Sequence, residues 1–219
     1  MNQGNHSFRQ IAAAAGVDDG RWGWGTVAVD LNNDRWVDIV ETNGWPLESQ
    51  FKNQPSRMWI NQGNETFIDV ATESGFVYSL DGRGLLNFDY DKDGDQDILI
   101  TSNNDQLKLF RNDLVSTQAH WLQVRLDTHT QPALAPNGIG ARVEITIGDS
   151  TYVQLIGACS NFLSQSELSA HFGLGTASIV DVVRVIWPNG QTTSISNLAA
   201  NQSITLVPPQ TVYLPFISK

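Results

Sequence analysis

The chain contains an internal repeat with an offset of 59 residues. The segment NQGNHSF at 2–8 returns as NQGNETF at 61–67, and residues 2–44 align with residues 61–103 without a gap. Of the 43 aligned positions, 14 are identical. The segment LFRND at 109–113 echoes MWINQG at 58–63. Repeated units of this kind bury their apolar faces against one another, so the repeat constrains the fold before any single motif does.

The pattern within each repeat is that of β-structure. GTVAVD and GLLNFD alternate on the way into an acidic loop, DIVET and DILIT leave it, and RMWIN and QLKLFRN resemble further strands. IAAAAGV is either one helical turn or an irregular connection. Four short strands in a period of roughly 45–60 residues predict propeller-like blades. We therefore expect an all-β protein with about two four-stranded blades in residues 1–115, from repeats at 2–57 and 61–113.

Each repeat carries a loop that is dense in side-chain oxygens. A calcium ion takes about six to eight oxygen ligands, and loop positions 1, 3, 5, 7 and 9 can supply them, position 7 through its backbone carbonyl. Gly94 permits a sharp turn in the second loop, whereas Arg35 stands at that position in the first and needs unusual backbone angles. The pattern predicts two calcium ions. The predicted ligands are Asp30, Asn32, Asp34, Trp36 and Asp38 in the first loop, and Asp89, Asp91, Asp93, Asp95 and Asp97 in the second.

The loops admit three other interpretations. An EF-hand would use Glu41 at position 12, but the flanking segments alternate like strands and the second loop has Ile100 there. A solvated turn is an alternative because Asp, Asn and Gly dominate turns. Magnesium is a weaker alternative because it prefers few protein ligands and several waters.

The second half of the chain follows a different pattern. Alternating strands and a WPNG turn at 187–190 predict a separate domain over residues 118–208, a small antiparallel β-sandwich or barrel-like fold. The last residues, 209–219, form an extended apolar tail.

Both halves resemble known families. Residues 1–113 look like the FG-GAP/VCBS repeats of integrin-type β-propellers, a resemblance that implies calcium held chiefly for structure. NGIGARVEI, LSQSE followed by HFGLG, VDVVRVIWPNG and NLAANQSITL are similar to the ASPIC/UnbV domain, which follows such repeats in the cartilage acidic protein family. The resemblance implies an extracellular or cell-surface protein and no known reaction.

Composition and motifs exclude several function classes. The net charge of −10 argues against nucleic acid and anionic membranes as partners. The single cysteine, Cys159, permits no intrachain disulfide and is expected to be a small buried residue. No apolar run approaches the ~20 residues of a membrane helix, and no signal peptide is visible in the sequence shown. Ser164, His171 and Asp181 lack a nucleophile elbow, so we predict that the protein is not an enzyme.

Aromatic residues and glycosylation sequons allow further interpretations. Most tryptophans of the repeat half are expected in the core, with Trp45 the best candidate for an exposed carbohydrate contact. Sequons occur at Asn5, Asn64 and Asn201. Asn5 and Asn64 are equivalent in the repeat, so a shared turn role explains them without a glycan.

Two blades alone would leave open faces, because a propeller closes into a ring with about four to eight blades. We therefore predict a homo-oligomer or filament that assembles head to tail through open blade faces and the C-terminal tail. The rival interpretation is an extracellular carbohydrate-binding or adhesion module with a glycan or cell-surface partner, in a chain that is part of a longer propeller protein.

Overall fold

The computed structural model describes residues 1–103, 105–114, 118–158 and 161–210. Cys159 and residues 211–219 of the predicted tail lie outside this range. Within it, no helix combines the length and the apolar character that crossing a membrane requires.

The chain folds almost wholly into β-strands, which confirms the all-β prediction. One helical turn, α1 (Ala12–Ala15), and one 3-10 turn (Pro136–Gly138) are the helical segments among the described residues. The strands group into four sheets, and none of these closes into a barrel in the described part of the chain. In chain order the strands are β1 (Thr26–Val29), β2 (Asp38–Glu41), β3 (Arg57–Asn61), β4 (Phe67–Asp69), β5 (Gly82–Phe88), β6 (Asp97–Ser102), β7 (Lys108–Phe110), β8 (His120–Leu126), β9 (Arg142–Ile147), β10 (Ser150–Leu155), β11 (Ser169–Gly175), β12 (Ile179–Ile186), β13 (Thr192–Ala199) and β14 (Gln202–Leu206).

The chain divides into two compact units. The first comprises the described residues of Met1–Trp121, Cys159–Glu167 and Gly173–Thr176. The second comprises those of Leu122–Ala158, Leu168–Phe172 and Ala177–Lys219. Three segments that the sequence places in the second domain are thus grouped with the first unit, namely the described residues of 118–121, 159–167 and 173–176.

The first unit contains two antiparallel up-and-down sheets, one for each repeat. The first sheet has the order β1-β2-β3-β4 and the second the order β5-β6-β7. The expected fourth strand is present in the first repeat, but the second sheet has three strands in the described residues. After Asn112 the sequence departs from the repeat, so the residue pattern that forms β4 does not recur. That these sheets are propeller blades stays a prediction.

The repeat extends to the N-terminal residues. Asn2 pairs with Phe8 across a tight hairpin, and the equivalent residues Asn61 and Phe67 pair in the β3–β4 hairpin. The ends of these hairpins therefore share one geometry.

The two equivalent sequons have the turn role that the repeat suggested. Asn5 Oδ1 accepts a hydrogen bond from the Ser7 backbone N–H at 3.3 Å, and Asn64 Oδ1 accepts one from the Thr66 N–H at 3.1 Å. Side chains of this type commonly stabilise turns by bonding the backbone two residues on.

One apolar core joins the two sheets of the first unit. Val27 and Val40 come from the first sheet, and Leu85 and Ile100 from the second. Phe76, on the connection between the sheets, completes the cluster. Because strand residues alternate between faces, each sheet turns its apolar side to this core and leaves its loops at the edge.

The second unit contains the sheet β10-β9-β12-β13, which is antiparallel throughout. In the sheet β11-β8-β14, however, β14 runs parallel to β8, so the predicted antiparallel arrangement does not hold for this pair of strands. A long connection separates β8 from β14, and such a connection allows the chain to return in the same direction. The WPNG turn is confirmed: Gly190 donates to the Trp187 carbonyl at 2.8 Å and has a φ of 82°.

Candidate metal site

The acidic loops connect β1 to β2 and β5 to β6, so strands rather than EF-hand helices flank both. Their backbones match closely. Asn33 and Lys92 have φ values of 57° and 65°, and Arg35 and Gly94 have values of 82° and 93°. Arg35 thus adopts the unusual angle predicted for it. Glu41 lies at the end of β2, as an ordinary strand residue would.

The last aspartate of the first loop holds the loop closed. Asp38 is fully buried, and its carboxylate accepts the Leu31 N–H at 2.9 Å and the Asn61 N–H at 2.8 Å. One donor precedes the turn and the other lies on β3.

The last aspartate of the second loop makes the same bonds. Asp97 is fully buried and accepts the Tyr90 N–H and the Asn112 N–H, each at 2.8 Å. The two loops are therefore one structural motif used twice.

Backbone N–H groups also occupy the other carboxylates of the first loop. Asp30 accepts the Asp34 N–H at 3.1 Å and the Arg35 N–H at 2.8 Å. Asp34 accepts the Trp36 N–H at 2.8 Å and the Asn32 Nδ2 at 2.9 Å. In this conformation the loop is ordered by its own hydrogen bonds.

The second loop gathers its carboxylates. Oxygens of Asp89, Asp91 and Asp97 all lie within 4.8 Å of one another. Asp95 is 6% exposed, and both its Oδ1 and the Oδ1 of Asp89 are buried without a hydrogen-bond partner. The remaining predicted ligand of this loop, Asp93, accepts the Asp95 N–H at 3.2 Å. The first loop has Asn32 where the second has Asp91, so it offers the carboxylates of Asp30, Asp34 and Asp38, and these three described residues do not form such a group.

The electrostatics of both loops oppose the charged state of the carboxylates. Burial, followed by the nearby charges of Asp93 and Asp97, raises the pKa of Asp95 to about 8. Burial likewise raises the pKa of Asp30 to about 7 and that of Asp38 to about 6. A bound divalent cation would offset both the lost solvation and the repulsion.

Several residues of the site were missed by sequence reasoning. Gly173 packs on the first loop so closely that an added Cβ would lie 2.5 Å from the Asn33 Cα and nearer still to Asp30 Oδ2. In the second loop an added Cβ on Gly94 would collide with the Trp121 ring. The glycines of the FGLG motif were the available signal, since glycine permits close backbone approach.

The tryptophans of the first unit are mostly covered. The rings of Trp22 and Trp45 stack at 5.5 Å, and the Arg83 guanidinium lies 4.4 Å from the Trp24 ring centre. Trp36 is 51% exposed and Trp45 is half-buried, so Trp36 rather than Trp45 presents its ring to solvent.

The sequence comparisons find a family match in the second half of the chain. Residues 131–212 match the ASPIC and UnbV family. The chain is also similar to cartilage acidic protein 1 of Mus musculus, with 25% identity over 277 aligned positions that cover 95% of this chain and 41% of the relative. The Homo sapiens protein is 24% identical over 92% of this chain and 38% of its own length.

The Xenopus tropicalis cartilage acidic protein 1 is 33% identical over 48% of this chain and 15% of its own length. The chain thus spans about two fifths of the mouse and human relatives. These findings support the ASPIC/UnbV part of the resemblance. The FG-GAP/VCBS assignment of residues 1–113 stays a prediction.

Proposed function

We propose that this is a secreted, calcium-binding structural or interaction protein in which the ion makes the acidic loops rigid. The observation that carries the proposal is the convergence of Asp89, Asp91 and Asp97 beside the buried, unpartnered Oδ1 of Asp95. Buried carboxylate oxygens without partners are costly unless a cation or a proton compensates them. Similarity to cartilage acidic protein 1 supports a non-enzymatic role.

The residues of the second loop fit a hard cation with oxygen ligands. Asp89, Asp91 and Asp97 would hold it, with Asp93 and Asp95 beside them. Asp97 also bonds the Tyr90 and Asn112 N–H groups, so ion binding would tie the loop to the strands on both sides. The ion supplies charge neutralisation, and the chain supplies a closed loop that orients the carboxylates.

The first loop is the second proposed calcium site. Its backbone repeats that of the second loop, and Asp30, Asn32, Asp34 and Asp38 stand at the same ligand positions, with the Trp36 carbonyl at position 7. The first loop offers one carboxylate fewer, because Asn32 stands where the second loop has Asp91. We therefore expect weaker affinity than in the second loop.

Calorimetric titration of calcium into the chelator-treated chain tests the proposal. We expect saturable binding. Asp91→Asn should reduce the calcium affinity of the second loop at least tenfold, because one carboxylate of the converging group is lost. Asp149→Asn, which removes the same charge from an exposed turn of the second unit, should leave the isotherm unchanged. Absence of binding, or equal effects of the two substitutions, would refute the proposed site.

We also propose that copies of the chain assemble head to tail through the edge of the second sheet. In the first sheet the Met58 carbonyl of β3 accepts the Val70 N–H at 2.8 Å, next to β4. Ile39 and Ile98 are equivalent in the repeat, and they pair with Trp59 and Phe110 respectively. Leu109 of β7, one residue before Phe110, is therefore the equivalent of Met58. In the described residues, no strand pairs with the edge of β7 that corresponds to the β4 side of β3.

A segment of the same chain matches the strand that this edge would accept. Residues 7–10, SFRQ, are equivalent to residues 66–69, TFID, which contain β4. Phe8 and Arg9 pair with Asn2 and Met1 within the chain, so their addition to β7 of another copy requires this hairpin to open. Phe8 is 76% exposed, whereas its equivalent Phe67 is half-buried. Addition of a strand to a sheet edge is a common mode of association. Residues 211–219 are a further predicted contact.

Light scattering and electron microscopy, with calcium and then with excess chelator, test the assembly. We expect large assemblies that chelator dissolves. Phe8→Ala should weaken them, while Leu47→Ala, which trims a side chain that is 79% exposed elsewhere, should not. A monomer in both conditions would refute self-assembly and leave the calcium proposal standing.

A further inference from the structure

The two acidic loops are joined by a buried hydrogen bond. Asn33, in the first loop, is fully buried, and its Nδ2 donates to the Gly94 carbonyl of the second loop at 3.0 Å. Gly94 lies at the sharp turn of that loop, between Asp93 and Asp95. A side chain of one proposed ion site therefore holds the backbone of the other.

A second bond runs in the opposite direction. Asn112 Nδ2 donates to the Leu31 carbonyl of the first loop at 2.7 Å. The backbone N–H of the same residue donates to Asp97 Oδ1 at 2.8 Å. The residue that fixes the last carboxylate of the second loop thus also holds the start of the first.

Asn33 departs from the repeat in a way that this contact explains. Its equivalent, Lys92, has the same left-handed backbone but is exposed. The loop backbone therefore forms without a buried amide at this position. The backbone of Asn33 is held from another side as well, because its carbonyl accepts the Gly175 N–H at 2.8 Å.

We propose that Asn33 couples the two loops, so that an ion in one raises the affinity of the other. The inference rests on the calcium binding proposed above. An ion that orders the second loop fixes the position of the Gly94 carbonyl. This fixed acceptor orders the Asn33 side chain, and Asn33 lies between the ligand positions Asn32 and Asp34 of the first loop. The first loop then loses less conformational freedom when its own ion binds. Asn33 is a positioning residue and not a ligand.

A thermodynamic cycle on the full chain tests the coupling by calcium calorimetry. Asp91→Asn weakens ion binding by the second loop without removing a buried bond, and we expect it to lower the affinity of the first loop at least about fivefold. In an Asn33→Gly background, which keeps the left-handed backbone and removes the amide, the same substitution should leave the first-loop affinity unchanged. Lys92→Gly is the matched control, because it makes the same change where no contact between the loops exists.

The outcomes separate the two proposals. No calcium binding by the wild-type chain refutes the proposed function. A wild-type isotherm with one ion refutes the second proposed calcium site and the coupling with it. An equal effect of Asp91→Asn with and without Asn33 refutes the coupling alone. If circular dichroism shows that Asn33→Gly is unfolded, Asn33→Asp replaces it, since it keeps the volume and the backbone preference but removes the Nδ2 donor.

Discussion

Gly173 should not tolerate a methyl group. The added Cβ of Gly173→Ala would lie 2.5 Å from the Cα of Asn33 and 2.6 Å from its carbonyl carbon. Real Cβ atoms do not approach closer than 3.0 Å, and the obstacle is backbone, which cannot rotate away. Forcing extra methyl groups into packed sites costs about 1–3 kcal/mol, and we expect the upper part of this range.

The assay is thermal unfolding followed by calorimetry and near-ultraviolet circular dichroism. For a chain of this size, about 2–3 kcal/mol corresponds to a fall of about 4–12 °C in Tm. Gly157→Ala is the matched control, since its added Cβ meets nothing within 4 Å. A Gly173→Ala protein that melts with the wild type would show that the first loop does not rest on this glycine.

Three further outcomes are expected. In chelator, Tm should fall as the pH rises from 5 to 8. The pKa values of Asp30 and Asp95, about 7 and 8, lie above the value of 3.8 in the unfolded chain. The folded state therefore binds more protons than the unfolded state across this window, and it loses stability as pH rises. Saturating calcium should reverse this trend, and a Tm that rises with pH in chelator would contradict the pKa shifts. Asp97→Asn should weaken calcium binding by the second loop and cost about 1–3 kcal/mol of stability in urea titrations, because one buried N–H loses its acceptor. Exposed Asp91→Asn should weaken calcium binding by that loop without this loss of stability. Glu144→Gln should destabilise the second unit by about 1–3 kcal/mol, because the Glu144 carboxylate is buried against two arginines; an unchanged urea midpoint would rule out such a role.

Local sequence determined most of the secondary structure. Alternating residues produced β2 and β6, and the asparagine of each NQG segment produced the same hairpin at residues 2–8 and 61–67. The loop spacing accounts for the shared hydrogen bonds of Asp38 and Asp97, because a carboxylate at the ninth position can reach the N–H of the second. These relations involve residues that are neighbours along the chain or across one turn, so a one-dimensional pattern contains them.

Tertiary structure decided the rest. Nothing in the spacing shows that Asn33 reaches Gly94, that Asn112 reaches Leu31, or that Gly173 closes the first loop, because these partners lie 61, 81 and 140 or more residues apart. The direction of β14 likewise depends on a long connection, which is compatible with either orientation. The sequence by itself determined where oxygen ligands are concentrated. Packing determined how closely the oxygens of Asp89, Asp91 and Asp97 approach one another, since these distances are defined only by the folded chain.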